Sequence, residues 1–126
     1  MAKPFASTAD TETQKAQLTE LGENVYGYVS DFDPNCGVVI GEDSCMVIDC
    51  RATPALAREM IADIGTVTDK PITRIFLTHY HAVRVFGRAA FGDVHTVIAS
   101  KNTLDLIRER GQQDFEAEVR RFPRLF

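Results

Sequence analysis

The chain has 126 residues, of which 44% are hydrophobic, and this is enough for one small domain with its own hydrophobic core. Its net charge of −4 and its interleaved acids and bases argue against nucleic acid and anionic membranes as partners, because both require a basic surface. No apolar stretch approaches the ~20 residues of a membrane helix, and the polar N-terminus is unlike a signal peptide, so we expect a cytoplasmic protein.

The first part of the chain is predicted to form β-hairpins. Residues 1–16 are polar and are expected to form a flexible leader. A first hairpin is predicted around the turn at residues 22–24, because residues 25–29 alternate, with the valines on one face and the tyrosines on the other. Two apolar runs, at residues 36–40 and 45–49, are joined by a short polar turn and predict a second hairpin.

The rest of the chain alternates between helices and strands. Capping residues and glycines mark the helix ends, and apolar residues recur at helical spacing between them. The predicted elements are a helix that begins at Thr53 and Pro54 and ends at Gly65, a strand at 72–78, a short helix at 85–91, a strand at 94–99, and a helix that starts after Ser100, has a candidate break at Gly111 and stops at Pro123. This order indicates an α/β layered domain.

The three cysteines are predicted to be structural. Cys36, Cys45 and Cys50 are odd in number and lack the C-x-x-C spacing of zinc knuckles. A disulfide framework is therefore disfavoured, and buried free thiols on neighbouring strands are expected.

Two histidines follow the predicted strand at 72–78. In extended chain, residues i and i+2 point the same way, so His79 and His81 can direct two imidazoles at one point. The carboxyl ends of strands in α/β sheets are also where ligand sites gather. The pair therefore suggests a metal site, although a histidine pair on the surface or within the core is the alternative. His95, on the next predicted strand, is a candidate third ligand, but packing or exposure is the favoured interpretation.

The segment Thr78-His79-Tyr80-His81 resembles the metal-binding signature of the metallo-β-lactamase superfamily, which typically contains His-x-His-x-Asp-His and then glycine. Gly87 agrees with that pattern. Val83 stands in place of the aspartate and Arg84 in place of the third histidine of the motif. The resemblance implies the N-terminal half of an αββα sandwich, a mixed β-sheet with helices on one face, formed by residues 17–126.

The resemblance also implies a function and its residues. Members are metal-dependent hydrolases whose zinc lowers the pKa of a bound water, so His79 and His81 are expected to bind at most one zinc ion, with Asp49 supporting the histidine loop. Arg84 is a candidate contact for an anionic group, or it points to solvent or pairs with an acid. The small-molecule substrate is unknown. Family domains run to roughly 200–250 residues, a normal size for a β-rich domain. We therefore expect this chain to be inactive alone.

The alternative is a non-catalytic, self-associating domain that kept the fold and lost the metal site. Val83 and Arg84 favour it, because neither side chain can bind a metal. Half a sandwich leaves one sheet face uncovered, and an exposed apolar face is a binding surface or an aggregation site. The sequence therefore predicts a homodimer or higher homo-oligomer.

Overall fold

A six-stranded mixed sheet organises the chain. The structure is a computed structural model that describes residues 15–31, 33–92 and 94–122. The sheet has the order β1 to β6; neighbours from β1 to β4 are antiparallel, and β4, β5 and β6 run parallel. The strands are β1 Gln17–Gly22, β2 Val25–Val29, β3 Cys36–Ile40, β4 Cys45–Ile48, β5 Ile72–Phe76 and β6 Thr96–Ile98. The helices are α1 Pro54–Ile64, α2 Ala82–Val85, a 3-10 helix Phe86–Ala90 and α3 Lys101–Arg121. The predicted α/β fold with a mixed sheet is confirmed.

Side-chain caps start the two long helices where the sequence predicts them. The Thr53 Oγ1 accepts a hydrogen bond from the Leu56 backbone N–H at 3.2 Å, and the Ser100 Oγ accepts one from the Thr103 N–H at 3.1 Å. Each cap satisfies one of the backbone donors that a helix leaves unpaired in its first turn.

The structure differs from the predicted boundaries at four places. The strand predicted at 72–78 ends at Phe76, because the Thr78 N–H donates to the Asp49 carboxylate and not to a neighbouring strand. The strand predicted at 94–99 covers only Thr96–Ile98. The short helix predicted at 85–91 is α2 followed by the 3-10 helix, at 82–90. α3 continues through Gly111, since one glycine costs only about 1 kcal/mol relative to alanine.

The hydrophobic core lies between one face of the sheet and α1. Val38, Val47 and Ile75 lie side by side on β3, β4 and β5 and are fully buried. They pack in one cluster with the apolar stripe of α1, which consists of Ala57, Met60 and Ile64.

The two ends of the chain are described only in part. Of the predicted leader at 1–16, only Lys15 and Ala16 are described, and Ala16 is buried in the core. Pro123, the predicted stop of the last helix, lies outside the described residues; α3 ends at Arg121. Within the described ranges, no helix is long and apolar enough to cross a membrane.

The parallel strands bring the candidate site residues together. β4 and β5 end at the same edge of the sheet, since Ile48 pairs with Phe76 in parallel register. Asp49 follows the first strand directly, and Thr78 follows the second after one residue. Residues far apart in sequence therefore meet at the carboxyl ends of the strands, where α/β sheets form their sites.

Candidate functional site

Asp49 is the centre of the site. Its side chain is buried and accepts three hydrogen bonds: Oδ1 accepts from the Thr78 backbone N–H at 2.9 Å, and Oδ2 accepts from the Thr78 hydroxyl at 2.8 Å and from Arg84 Nη1 at 2.9 Å. Its backbone φ is 65°, a left-handed conformation that aspartate tolerates better than most residues. Asp49 thus joins the end of β4 to the loop that carries the histidines.

Thr78 connects Asp49 to His79. The Thr78 Oγ1 lies 2.9 Å from His79 Nδ1. A hydroxyl has one hydrogen, and the bond to the carboxylate uses it, so Oγ1 accepts a hydrogen from Nδ1. This assigns the proton of the neutral imidazole to Nδ1 and leaves the lone pair on Nε2, the atom then able to bind a metal. In the sequence, Thr78 stands out only as part of the motif. The signal for its role as the hydrogen-bond partner of His79 is a hydroxyl directly before the first histidine.

His79 and His81 lie side by side. Their ring centroids are 5.9 Å apart and the ring planes differ by 12°, so the imidazoles are stacked. The chain bends at residues 78 and 79, beyond the end of β5. The rings therefore lie side by side after a bent segment, whereas the sequence prediction assumed extended chain. Their role as metal ligands stays a prediction.

The described residues do not form a complete zinc site. A catalytic zinc site takes three protein ligands and a water molecule. Within residues 15–31, 33–92 and 94–122, no group of three or more histidine, cysteine, aspartate or glutamate side chains is arranged to hold a metal ion. His95 is exposed and does not join the pair, and the Asp49 oxygens already accept from Thr78 and Arg84. The donor set here is two imidazoles, fewer than the three protein ligands of a catalytic zinc ion.

Arg84 pairs with an acid of its own chain. Its Nη1 donates to Asp49 Oδ2 and also to the Asn35 backbone carbonyl at 3.2 Å. The Arg84 carbonyl accepts from the Cys50 N–H at 2.8 Å, which ties α2 to the segment after β4. Of the alternatives left open by the sequence, the structure contains the ion pair; an additional contact to an anionic ligand stays a prediction.

A buried cation, Arg51, was missed by sequence reasoning. It is 1% exposed, and it donates to Asp33 Oδ2 at 2.9 Å and to the Leu56 carbonyl at 3.1 Å. Its guanidinium also lies 5.0 Å from the ring centroid of Tyr28, a cation–π contact. The available signal was a charged residue between small and apolar neighbours at positions 50 and 52.

Tyr28, whose ring contacts the Arg51 guanidinium, is hydrogen-bonded to α1. Its hydroxyl donates to Asp63 Oδ2 at 2.6 Å. Burial, together with that hydrogen bond to a carboxylate, raises the pKa of the Tyr28 hydroxyl. The tyrosine therefore stays protonated and acts as a fixed donor that joins β2 to α1.

The cysteines are free and buried, as predicted. Burial raises the pKa of the Cys36 thiol to about 11 and that of the Cys50 thiol to about 12. Burial also raises the pKa of Cys45. Thiols in this state are poor nucleophiles, since the thiolate is the reactive form.

Comparisons with known proteins agree with this architecture. The model of the metallo-beta-lactamase superfamily matches residues 29–112. Similar solved structures include the metallo-beta-lactamase FIM-1 from Pseudomonas aeruginosa in its mono-zinc form, with 19% identity and a TM-score of 0.66 over 77% of this chain and 47% of that one. The metallo beta lactamase from Hirschia baltica has 24% identity and a TM-score of 0.67, over 77% of this chain and 48% of that one.

A third similar structure is the metallo beta lactamase from Erythrobacter litoralis with beta mercaptoethanol in the active site, with 24% identity and a TM-score of 0.66 over 79% of this chain. The chain spans about half the length of these solved structures, since it covers 47% or 48% of each. At these identities the likeness establishes the fold, and the family model covers well over half of the chain. The chain belongs to the metallo-β-lactamase superfamily, and its sheet and helices are those of about half of such a domain.

Proposed function

We propose that this chain carries part of the metal site of a metallo-β-lactamase-type hydrolase, with His79 and His81 as ligands, and that the 126 residues alone are inactive. The observation that carries this proposal is the hydrogen-bonded series from Asp49 through Thr78 to His79, which fixes one tautomer and leaves Nε2 free. Partners of this kind, behind a ligand histidine, orient the ring and strengthen metal binding.

The proposal requires ligands from outside the described residues. Two imidazoles are fewer than the three protein ligands of a catalytic zinc site. A hydrolytic centre would therefore need further protein ligands, and the substrate class stays open among lactams, thioesters and phosphodiesters.

Zinc binding tests the proposal directly. We expect untagged protein, purified without chelator, to bind at most one zinc ion weakly in competition with a chromophoric chelator. His79→Ala should abolish this binding, and Thr78→Val should weaken it by roughly 10- to 100-fold, since it removes the partner of Nδ1. His95→Ala is the matched control and should bind zinc as the wild type does. Equal binding by His79→Ala and wild type would reject the proposed ligand.

Turnover is the second readout. A chromogenic cephalosporin, a thioester and a phosphodiester should remain unhydrolysed by the chain alone. Hydrolysis that His79→Ala abolishes would show that the chain is active and would contradict the proposed inactivity.

A second candidate function is self-association through the open face of the sheet. The register places eight apolar side chains on the face opposite α1, among them Val39, Met46 and Ile48, whereas no acid and one cation, Arg74, occupy that face of the described strands. Phe76, Ile98, Val25 and Val29 remain 38% to 41% exposed there, and Leu21 is 67% exposed. An apolar face this large marks an interaction site.

We propose a second copy of the chain as the occupant of this face. The face is roughly 25 Å wide and about 16 Å along the strands. Two such faces bury on the order of 1,000 Å², the area at which specific interfaces begin. Because this face carries no acid on the described strands, it does not repel an acidic partner, but Arg74 is its one cation there and attracts such a partner weakly. Another apolar face is therefore the better complement. Two identical sheets can pack face to face about a two-fold axis.

Sedimentation equilibrium at micromolar concentration tests this association, with a dimer as the expected species. A monomer throughout that range would reject it. A dimer that binds no zinc would favour the non-catalytic domain over the hydrolase.

A further inference from the structure

A cleft lies between the histidine loop and α3. Its volume is about 260 Å³. Tyr80, His81 and Ala82 form one wall, and the last three turns of α3 form the other with Arg110, Asp114, Ala117, Glu118 and Arg121. The comparisons assign no role to this cleft. A volume of this size suits a small ligand, since it falls just below the range of drug-sized pockets.

Glu118 carries the one buried polar side-chain atom of the described residues that has no hydrogen-bond partner. Its side chain lines the cleft and is only 7% exposed. Oε1 accepts from Arg121 Nη1 at 3.3 Å, but Oε2 has no partner within the described chain. A buried carboxylate oxygen without a donor is costly, because it has given up water without replacement. A larger cavity of about 400 Å³, beside Ile72 and Phe91, has no such atom among its described lining residues.

The charges of the cleft indicate which ligand is needed. Arg110 Nη2 lies 3.4 Å from Asp114 Oδ1, and the Arg110 guanidinium lies over the ring of Tyr80. Arg121 Nη1 lies 3.3 Å from Glu118 Oε1, and the Arg121 guanidinium lies over the ring of Phe122. Each cation thus already has a carboxylate beside it, whereas Glu118 Oε2 lacks a donor. Glu118 Oε2 therefore needs a hydrogen-bond donor from a ligand. A charged donor binds a carboxylate more strongly than a neutral one does.

We propose that this cleft binds a small organic ammonium, whose N–H donates to Glu118 Oε2. A short apolar body on the ligand fits the cleft, because Ala82 and Ala117 are among its lining residues. Arg110 and Arg121 remain paired with their acids and disfavour a second positive charge on the ligand. The cleft shares His81 with the proposed metal site, but amine binding requires Glu118 and not Nε2 of His79.

Benzylamine is the probe for this proposal, with benzyl alcohol and benzoate as neutral and anionic controls of the same shape. Titration of ¹⁵N-labelled full chain should give saturable shifts of the Ala82 and Ala117 amides with benzylamine only. Glu118→Gln should weaken binding at least tenfold, because it keeps the size of the side chain and removes its charge. Glu116→Gln, an exposed position two residues away on α3, is the matched control and should bind as the wild type does.

Further variants keep the test decisive. Ala117→Leu fills the cleft while keeping Glu118, so it should also abolish saturable binding, even if Glu118→Gln fails to fold. His79→Ala should bind benzylamine normally while losing zinc, which separates this proposal from the metal site. Equal binding by Glu118→Gln, equal binding of benzoate, or shifts that map away from the cleft would each overturn the proposal. Loss of zinc binding in Glu118→Gln without any amine binding would assign the carboxylate to a metal and overturn it too.

Discussion

Asp49 joins a strand end, a hydroxyl and a cation at one point. Its two carboxylate oxygens accept three hydrogen bonds, and two of the donors belong to Thr78. Its side chain is 2% exposed, whereas that of Arg84 is 27% exposed. The pair therefore stabilises the fold only as long as both partners are present, because removing one leaves a charge without compensation in a largely dry site.

Asp49→Asn should lower the free energy of unfolding by about 2–4 kcal/mol, at the lower side of the range for buried pairs, since Arg84 is partly hydrated. Asparagine tolerates the left-handed backbone at this position, so the change tests the charge and not the conformation. Urea unfolding is the measurement. Asp43→Asn, in the exposed turn between β3 and β4, is the control and should change stability little; equal losses in the two variants would contradict the role of Asp49.

The buried thiols make stability depend on alkaline pH. The pKa of Cys36 rises from 9.0 to about 11 and that of Cys50 from 9.0 to about 12, both through burial. Below pH 9 both states hold these protons; above it the unfolded chain releases them and the folded chain does not. Stability should therefore fall from pH 9 to about pH 11 through Cys36 and from pH 9 to about pH 12 through Cys50, by up to about 1.4 kcal/mol per pH unit for each thiol within its own range.

Urea unfolding at pH 8.0 and 9.5 measures this loss, and Cys50→Ser should show a smaller one. The same thiols should be inert to Ellman's reagent at pH 8 in the folded chain and fully reactive in urea. Rapid labelling of the folded protein would contradict the buried, protonated state.

At the scale of the elements, the 3-10 helix is fixed against the segment that follows β4. The Gly87 N–H donates to the Arg51 carbonyl at 3.0 Å, and the Cys50 N–H donates to the Arg84 carbonyl at 2.8 Å. The approach is so close that a Cβ on Gly87 would lie 1.9 Å from the Cys50 carbonyl oxygen. The φ of Gly87 is not positive, so the backbone conformation does not require glycine. Glycine is required here because there is no space for a Cβ.

Gly87→Ala should destabilise the protein by about 3 kcal/mol or more, because the backbone must move to admit the methyl group. The expected loss appears in urea unfolding and as a lower Tm. Gly92→Ala is a matched control, since a Cβ there meets nothing within 4 Å. A neutral Gly87→Ala would show that the two segments are not in contact.

Gly111→Ala tests the continuity of α3. The helix is unbroken at this residue, and a Cβ there would meet only the Ile107 side chain, at 4.0 Å. The change should raise the free energy of unfolding by about 0.5–1 kcal/mol, because alanine loses less backbone entropy than glycine in a helix interior. Destabilisation would indicate a break at Gly111, as the sequence alone suggested.

At the scale of the whole molecule, the two faces of the sheet have opposite environments. One face is covered by α1 and holds the fully buried residues Val38, Val47 and Ile75. The other carries partly exposed apolar residues such as Ile48 and Phe76. The proposed dimer buries the second face, so a charge placed there should separate the copies without disturbing the core.

Phe76→Lys should shift the chain from dimer to monomer in sedimentation equilibrium, because a lysine cannot be desolvated between two apolar sheets without a partner. Phe76 is 38% exposed in the single chain, so the folded monomer tolerates the change. Val67→Lys, 42% exposed in the turn after α1, is the control and should leave the dimer intact. Dissociation by both variants would indicate non-specific association.

The sequence by itself determined the order of the elements and the caps of the long helices. Thr53 and Ser100 act within one turn of their own positions, and the apolar runs of β3 and β4 lie on either side of one short polar turn. It also indicated that Asp49 and the histidines belong together, but only through the family pattern and not through spacing.

The tertiary structure decided which side chains pair. Arg84 bonds an acid 35 residues away, and Arg51 bonds one 18 residues away. Such pairs depend on which strands lie side by side, which a local pattern does not encode. The end of β5 was decided in the same way, because the carboxylate of Asp49, which follows β4, takes the Thr78 N–H that would have continued the strand.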